Sequence, residues 1–393
     1  MGEVKEMKKF VDISGFNINQ PNRGNAALSY GAVSFLVSKG LLKEGQELVL
    51  FRRFRNPLSK RNLVVERNEI IIDGVKWVLN VVPVLFLEWD IAKKYGFVCN
   101  LTRFGRYVNN TEYEAADYGG DGFADIYGDK TFYSRMHQTD ILMAKKVPLI
   151  MLPMTIGPFE KDNNRQIADK YLRYASKIYV RDDRFCEELN KMGLKYEHSI
   201  DLSAYMKPEP WDICIPENAI GINISGLAYS NNFGNLVGQF DAYPKLVERL
   251  ICTFRDKGHT VYLIPHSYNY TNPEKNNDDM VACKAAYNAL LDKSNVVFVD
   301  KDLTSPQVKY VISKMKFFIG TRMHANFAAI YTNVPLFGLA YSYKFAGAFN
   351  ANGLDGSKQT ILINNLEDNA IDSVIYKINS FYEESQNELK HEK

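Results

Sequence analysis

Net charge is nearly absent from this chain: 48 basic residues against 46 acidic ones among 393 leave +2 at neutral pH. No global field therefore favours a polyanion such as nucleic acid, and any charged partner must be met locally. Cysteine is sparse as well. Cys99, Cys186, Cys214, Cys252 and Cys283 are far apart and form no C-x-x-C pair. That argues against a disulfide framework and suits thiols acting as small core residues in a reducing compartment. No H-x-x-x-H pair, carboxylate cluster or Cys/His grouping stands out, so no metal is expected. The uncharged run Trp77 to Leu87 spans 11 residues, whereas crossing a bilayer takes about 20. The N-terminus, MGEVKEMKKFVDISG, lacks an apolar signal core, and Glu6 stands where a myristoylation motif takes Ser or Thr. A cytoplasmic protein is the expectation.

Short β-prone runs alternate with helical patterns. Phe10 to Ile13 precedes a helix over 26–38, Pro148 to Met154 one over 163–175, and Lys177 to Val180 one over 183–192. A polar stretch, 207–217, interrupts, and the alternation resumes with strands at 219–225, 260–265 and 296–300 between helices at 243–257, 278–292 and 305–314. Such alternation implies parallel sheets covered by helices on both faces, and the length implies two of them. The expected fold is α/β, two Rossmann-like doubly wound domains facing across a cleft. The first covers 1–210 and the second 211–367, with a helix over 368–393 that by analogy crosses back to the first. No internal repeat or low-complexity segment appears.

The stretch FFIGTRMHANFAAIYTNVPLFGLAYSYKFAGAF, 317–349, is the most informative. A strand stops at Gly320, and Thr321, Arg322 and His324 sit where a helix must begin; its free amides and dipole favour an anion. A second strand over 335–341 then delivers Lys344 to the same carboxyl edge. Spacing alone leaves two readings: these groups hold a phosphate or carboxylate, or Arg322 pairs with a surface carboxylate and His324 caps a helix.

Other pieces lie upstream in order: Asn22-Arg23-Gly24-Asn25 after the first strand, Gly119-Gly120-Asp121, Thr155-Ile156-Gly157-Pro158-Phe159, and Val180-Arg181-Asp182-Asp183. Together with Gly320-Thr321-Arg322-Met323-His324, Val334-Pro335-Leu336-Phe337-Gly338 and Tyr341-Ser342-Tyr343-Lys344 they resemble the polysaccharide pyruvyl transferase family over nearly the whole chain. The resemblance implies the GT-B layout and transfer of a pyruvyl group from phosphoenolpyruvate to a sugar as a cyclic ketal, in the biosynthesis of a capsular or exopolysaccharide. It also implies His324 as the catalytic acid and Arg181, Arg322 and Lys344 as donor ligands. No cofactor is expected beyond phosphoenolpyruvate as donor substrate; the acceptor is a sugar or a lipid-linked oligosaccharide. The chain departs from the family at Asn25, where Asp is usual, and at Ser342-Tyr343, where Asp-Pro is usual before the Lys.

From the residues themselves, Asn25 serves as a helix cap or a ligand to a sugar hydroxyl. Asp121, in a glycine-rich turn, is the preferred base for the acceptor, with Asp125 behind it; an ordinary turn explains the same residues. His266, at a strand end, is placed near donor or acceptor. From the residues alone Arg181 reads first as a partner of Asp182 and Asp183. Arg52, Arg53, Arg55, Lys60, Arg61 and Arg67, followed by Trp77 to Leu87 and Trp89, read either as a buried helix or as a peripheral contact at the inner face of the cell membrane with the tryptophans at the boundary. A GT-B glycosyltransferase using a nucleotide sugar, or a non-catalytic binding homologue, are the alternatives to the pyruvyl transfer reading.

Overall fold

The computed structural model describes residues 9–56, 59, 62–342 and 344–391, without the side chains of residues 344 and 389–391. Contacts gather the chain into two compact units. The first takes the chain up to Asn17 and Leu28–Met206; the second takes Ile18–Ala27 and the chain from Lys207 onward.

Among the described residues the first unit holds eight strands, β1 (Phe10–Ser14), β2 (Glu47–Phe54), β3 (Glu66–Ile72), β4 (Val75–Leu85), β5 (Thr111–Ala116), β6 (Leu149–Met154), β7 (Ala175–Val180) and β8 (Glu197–His198), in the order β3-β4-β2-β1-β5-β6-β7-β8. Among these described strands β3 and β4 pair antiparallel and the other neighbours pair parallel. Strand order reverses between β1 and β5, where Asp12 stands beside Glu114, so the carboxyl ends of that pair are the switch point at which such sheets hold ligands.

The run Trp77 to Leu87 is not a buried helix: most of it is the strand β4. Asp73 and Gly74, at φ 54° and 79°, make the tight turn that an Asp-Gly pair favours, and the valines of VKWVLNVVPVL suit a pleated strand better than a helix. Trp77 and Trp89 are buried, so neither is a membrane-boundary residue. Arg52 pairs with Glu66 and Arg67 with Glu47. Lys60 and Arg61 lie outside the described residues.

The second unit's sheet is wholly parallel: β9 (Ile220–Asn223), β10 (Val261–Leu263), β11 (Val296–Phe298), β12 (Phe317–Gly320), β13 (Leu336–Ala340) and β14 (Thr360–Leu362), in the order β11-β10-β9-β12-β13-β14. That is the 3-2-1-4-5-6 order of dinucleotide-binding folds, with its switch point between β9 and β12. The helix Tyr243–Asp256 turns Leu246, Val247, Leu250, Ile251 and Phe254 into the core on one sheet face.

The last helix, Ile371–His391, belongs to this same unit rather than to the first. Ile371, Val374, Ile375, Ile378 and Tyr382 recur at three- and four-residue intervals and join the core with Phe254, Phe317 and Phe337. That stripe is buried within this unit.

Residues 18–27, expected with the N-terminal half, also pack with the second unit. Asn22 bridges to Ser267, the amide of Arg23 donates to the carbonyl of His266 at 3.0 Å, and that of Tyr268 to Pro21 at 3.0 Å. The Arg23 guanidinium ties the segment down through the Leu303 carbonyl (2.7 Å), Asp302 (2.7 Å) and the Tyr268 ring.

Candidate active site

In the second unit three strand ends are stitched together by Asn223. Its amide nitrogen donates to the Ile264 carbonyl beyond β10 at 3.0 Å, and its oxygen accepts from the backbone amide of Arg322 beyond β12 at 2.8 Å. Arg322 stands at the N-cap of the helix Met323–Ile330, so His324 falls in its first turn. The side chain of Asn326 folds back onto the Gly320 carbonyl at 3.1 Å, which holds the strand-to-helix junction shut.

Asp279, fully buried in the first turn of the helix Asp279–Ala289, is the hub that sequence reasoning missed. Its carboxylate accepts from the amides of Gly226 (2.8 Å), His266 (3.1 Å) and Ser267 (2.9 Å). It also takes Nε of Arg322 at 3.1 Å and Nη2 at 2.7 Å. Nη2 donates further to the carbonyl and side-chain oxygens of Asn277 at 2.9 and 2.8 Å. Arg322 is thus held by a buried carboxylate, not a surface one. Burial works against its charge, but Asp279 outweighs that and keeps the guanidinium protonated. Tyr341, just past β13, lies beside the same guanidinium: burial pushes its hydroxyl's pKa up, and the charge of Arg322 pulls against that.

His324 packs edge-on to Phe327 with ring centroids 5.6 Å apart. Gly24 lies against it: a β-carbon at residue 24 would stand 2.6 Å from Nδ1 and Cγ of the imidazole. The Asn22–Asn25 loop therefore belongs to the His324 site because glycine allows backbone to touch a ring. Asn22, not Asn25, caps the helix that follows, accepting from the amides of Gly24 (2.9 Å) and Asn25 (3.4 Å); Asn25 is left exposed. His266 is buried, and that burial, with the charges of His324, Arg322 and Arg23, pushes its pKa well below the usual value, so it stays neutral. Ser225, just past β9, buries a hydroxyl that makes no hydrogen bond among the described residues. The Lys344 side chain lies outside the described residues.

The remaining candidates sit in the first unit. Arg181 follows β7 and pairs with neither Asp182 nor Asp183: Nη1 meets buried Asp201 at 2.5 Å and Nε donates to Thr155 at 3.0 Å. Asp201 was not foreseen, because it lies 20 residues away and its partnership exists only in the fold. Gly120, at φ 76°, presses on this group, since a β-carbon there would stand 2.9 Å from Nη1.

Asp121 accepts from the Tyr127 hydroxyl at 2.5 Å. Asp117 lies four residues before it, enclosed by the protein. Burial, then the charge of Asp201, raises its carboxyl to about 7 against the pull of the Gly120 amide 2.8 Å away and of Arg181. Asp125 is spoken for: the amides of Glu160 and Lys161 and the side chain of Asn164 all donate to it, and although burial opposes its charge they hold its carboxyl below the usual range.

Among the described residues one trio offers ligand atoms within 4.8 Å of one another, Asp183, Cys186 and His198. Burial pushes the Cys186 thiol up, which opposes the thiolate a metal needs. Asp183 is solvent-exposed. A cavity of about 500 Å³ lies away from the strand ends, lined by Lys93, Lys130, Lys170, His137 and Tyr171 among others.

Comparison with known proteins agrees with this layout. The chain is 22% identical over 296 residues to the amylovoran biosynthesis protein AmsJ of Erwinia amylovora, covering 71% of this chain and 68% of that protein. Its fold is similar to a UDP-GlcNAc 2-epimerase of Methanocaldococcus jannaschii (TM-score 0.53, 9% identity, 95% of this chain and 92% of the other). It is also similar to a putative UDP-N-acetylglucosamine 2-epimerase of Listeria monocytogenes (TM-score 0.52, 11% identity, 95% and 89%). At such identity the likeness concerns the fold alone, which is α/β with parallel sheets and of the GT-B kind, as the sequence implies. The family model for polysaccharide pyruvyl transferase matches residues 22–343, beginning at the loop that touches His324 and taking in β13, and the chain belongs to that family.

Proposed function

We propose that the protein moves a pyruvyl group from phosphoenolpyruvate to a sugar as a cyclic ketal, in the assembly of an extracellular polysaccharide. One observation carries this reading: the switch point of the second unit gathers a buried, Asp279-held guanidinium (Arg322), an imidazole in the first helical turn (His324) and a buried neutral histidine (His266) around a glycine loop. Phosphoenolpyruvate carries nearly three negative charges on a small skeleton, and a planar fork beside free helix amides recognises it. Arg322 and Lys344 are the proposed donor ligands, with Asn25 and His266 at the margin of the site.

His324, protonated, donates to the methylene carbon, leaving an oxocarbenium-like centre at the adjacent carbon. A first sugar hydroxyl adds there and gives up its proton; phosphate then leaves with the bonding pair, and a second hydroxyl closes the ketal. One hydroxyl proton replaces the proton His324 gave and the other leaves with phosphate, so the reaction needs no resident cofactor. In the first unit the acceptor step is assigned to Asp117 or Asp121 as base, with Arg181 setting the charge around them.

The strand order of the second unit favours one other reading, a glycosyltransferase with a nucleotide sugar as donor. Incubation with phosphoenolpyruvate and a panel of galactosides, glucosides and mannosides separates the two: phosphate release with a mass gain of one pyruvyl unit is expected. Transfer from a UDP-sugar with no release from phosphoenolpyruvate overturns the proposal, and binding of donor without turnover by either route favours a non-catalytic homologue. His324→Gln is expected to bind donor and lose turnover.

A further inference from the structure

The helix Phe86–Tyr95 in the first unit carries apolar side chains on both faces. Trp89 and Ala92 turn inward, Trp89 toward the Phe104 ring at 5.9 Å. Leu87, Ile91 and Tyr95, at four-residue intervals, form an opposite stripe that faces solvent. Leu87 is 64% exposed and Tyr95 67%. Gly96, at φ 62°, ends the helix, and the chain runs on through two more exposed apolar residues, Phe97 and Leu101, the latter 89% exposed. Isolated exposed apolar residues need no explanation; a helical stripe continued by two more does.

Cations accompany the stripe. Lys94 lies beside the Tyr95 ring at 5.0 Å, and Arg55 and Arg53 reach over the Phe86 ring at 4.8 and 5.4 Å. Arg53 and Arg55 come from the end of β2 and are themselves exposed. Against these three stands Asp90, the exposed carboxylate of the helix.

We propose that the outer face of this helix, Leu87, Ile91 and Tyr95 with Phe97 and Leu101, docks on an anionic lipid bilayer. An apolar stripe edged by Arg and Lys matches the boundary between acyl chains and phosphate headgroups, where the stripe leaves water and the cations meet negative charge. A ten-residue helix lies in that plane rather than crossing it, and among the described residues no helix is long and apolar enough to span a membrane. A second copy of the chain fits less well, because a two-fold interface would bring the same cations against each other. The buried tryptophans take no part.

The test is flotation of the full chain with phosphatidylcholine vesicles, with and without phosphatidylglycerol, at low and high salt. Flotation only with the anionic vesicles, weakened by salt, is expected. The triple variant Leu87→Ser, Ile91→Ser, Leu101→Ser should keep the wild-type melting temperature, its sites being on the surface, and lose flotation. Arg55→Gln with Lys94→Gln should lower partitioning about thirtyfold, at about 1 kcal/mol for each cation. Three outcomes overturn the proposal: wild type stays out of the anionic vesicle fraction, the triple variant floats as well as wild type, or sedimentation shows a dimer that the triple variant abolishes.

Discussion

Gly24 and His324, 300 positions apart in the chain, are in van der Waals contact so close that any side chain on residue 24 would overlap the imidazole. The contact brings a loop from near the start of the chain to the carboxyl end of the second sheet, and under the proposed reaction it makes the glycine a positioning residue for His324.

Gly24→Ala is accordingly expected to leave the chain folded but push the His324 ring aside. Misplacement of a catalytic group by about 1 Å costs on the order of a hundredfold in rate, so turnover measured as phosphate release should fall by about that factor while donor binding changes little. Wild-type turnover in the variant would remove His324 from the proton-transfer role or show that the ring shifts without consequence.

The Arg322–Asp279 pair should be a stability element as well as a site element. Asp279→Asn removes the charge that offsets the Arg322 guanidinium and weakens the hydrogen bonds that the amides of Gly226, His266 and Ser267 donate to this side chain. Breaking a buried ion pair on one side costs about 3–5 kcal/mol, which urea titration should read as a lowered midpoint. An unchanged midpoint would mean that water reaches Arg322.

Asp117 and Asp121 are separable by substituting each in turn and following activity against pH. A base must be ionised to act, and with the Asp117 carboxyl at about 7 activity governed by it rises as pH rises through neutrality. Asp117→Asn should lower kcat/KM by about a hundredfold or more and abolish that limb of the profile; Asp121→Asn should leave the limb in place. The reverse pattern would assign the base to Asp121.

Glu114, fully enclosed beside β1, has its carboxyl raised by burial from 4.5 to about 7, despite hydrogen bonds from Ser14 and Thr139. The neighbouring Asp12 is raised as well, by burial and then by Glu114. The folded state therefore holds a proton on Glu114 that the unfolded state has released between about pH 4.5 and 7, so stability contributed here is present at acid pH and is lost as pH rises through that window. Glu114→Gln should flatten the decline in urea midpoint from pH 5 to 8; an unaltered slope would mean that the carboxyl is solvated.

Much of the fold was legible because its signals are local. The alternation of strand and helix patterns, the Gly-Thr-Arg-Met-His junction and the polar stretch after Met206 are all written within short windows. The run Trp77 to Leu87 misled because an apolar stretch of that length suits a helix or a strand, and the arbiter was the Asp73-Gly74 turn just before it. The last helix misled for a different reason: its stripe is plain in the sequence, but a stripe does not name the surface that receives it.

The residues of the site divide in the same way. The sequence by itself determined that Arg322 and His324 share one helix start at the carboxyl edge of a parallel sheet, since neighbours in the chain remain neighbours in space. Only the tertiary structure decided that Asp279 holds Arg322, that Asn223 ties the strand ends, that Gly24 touches His324, and that burial raises the Asp117 carboxyl. Those facts depend on desolvation and on contacts between residues tens to hundreds of positions apart, and burial is a property of the folded chain that no local pattern of residues encodes.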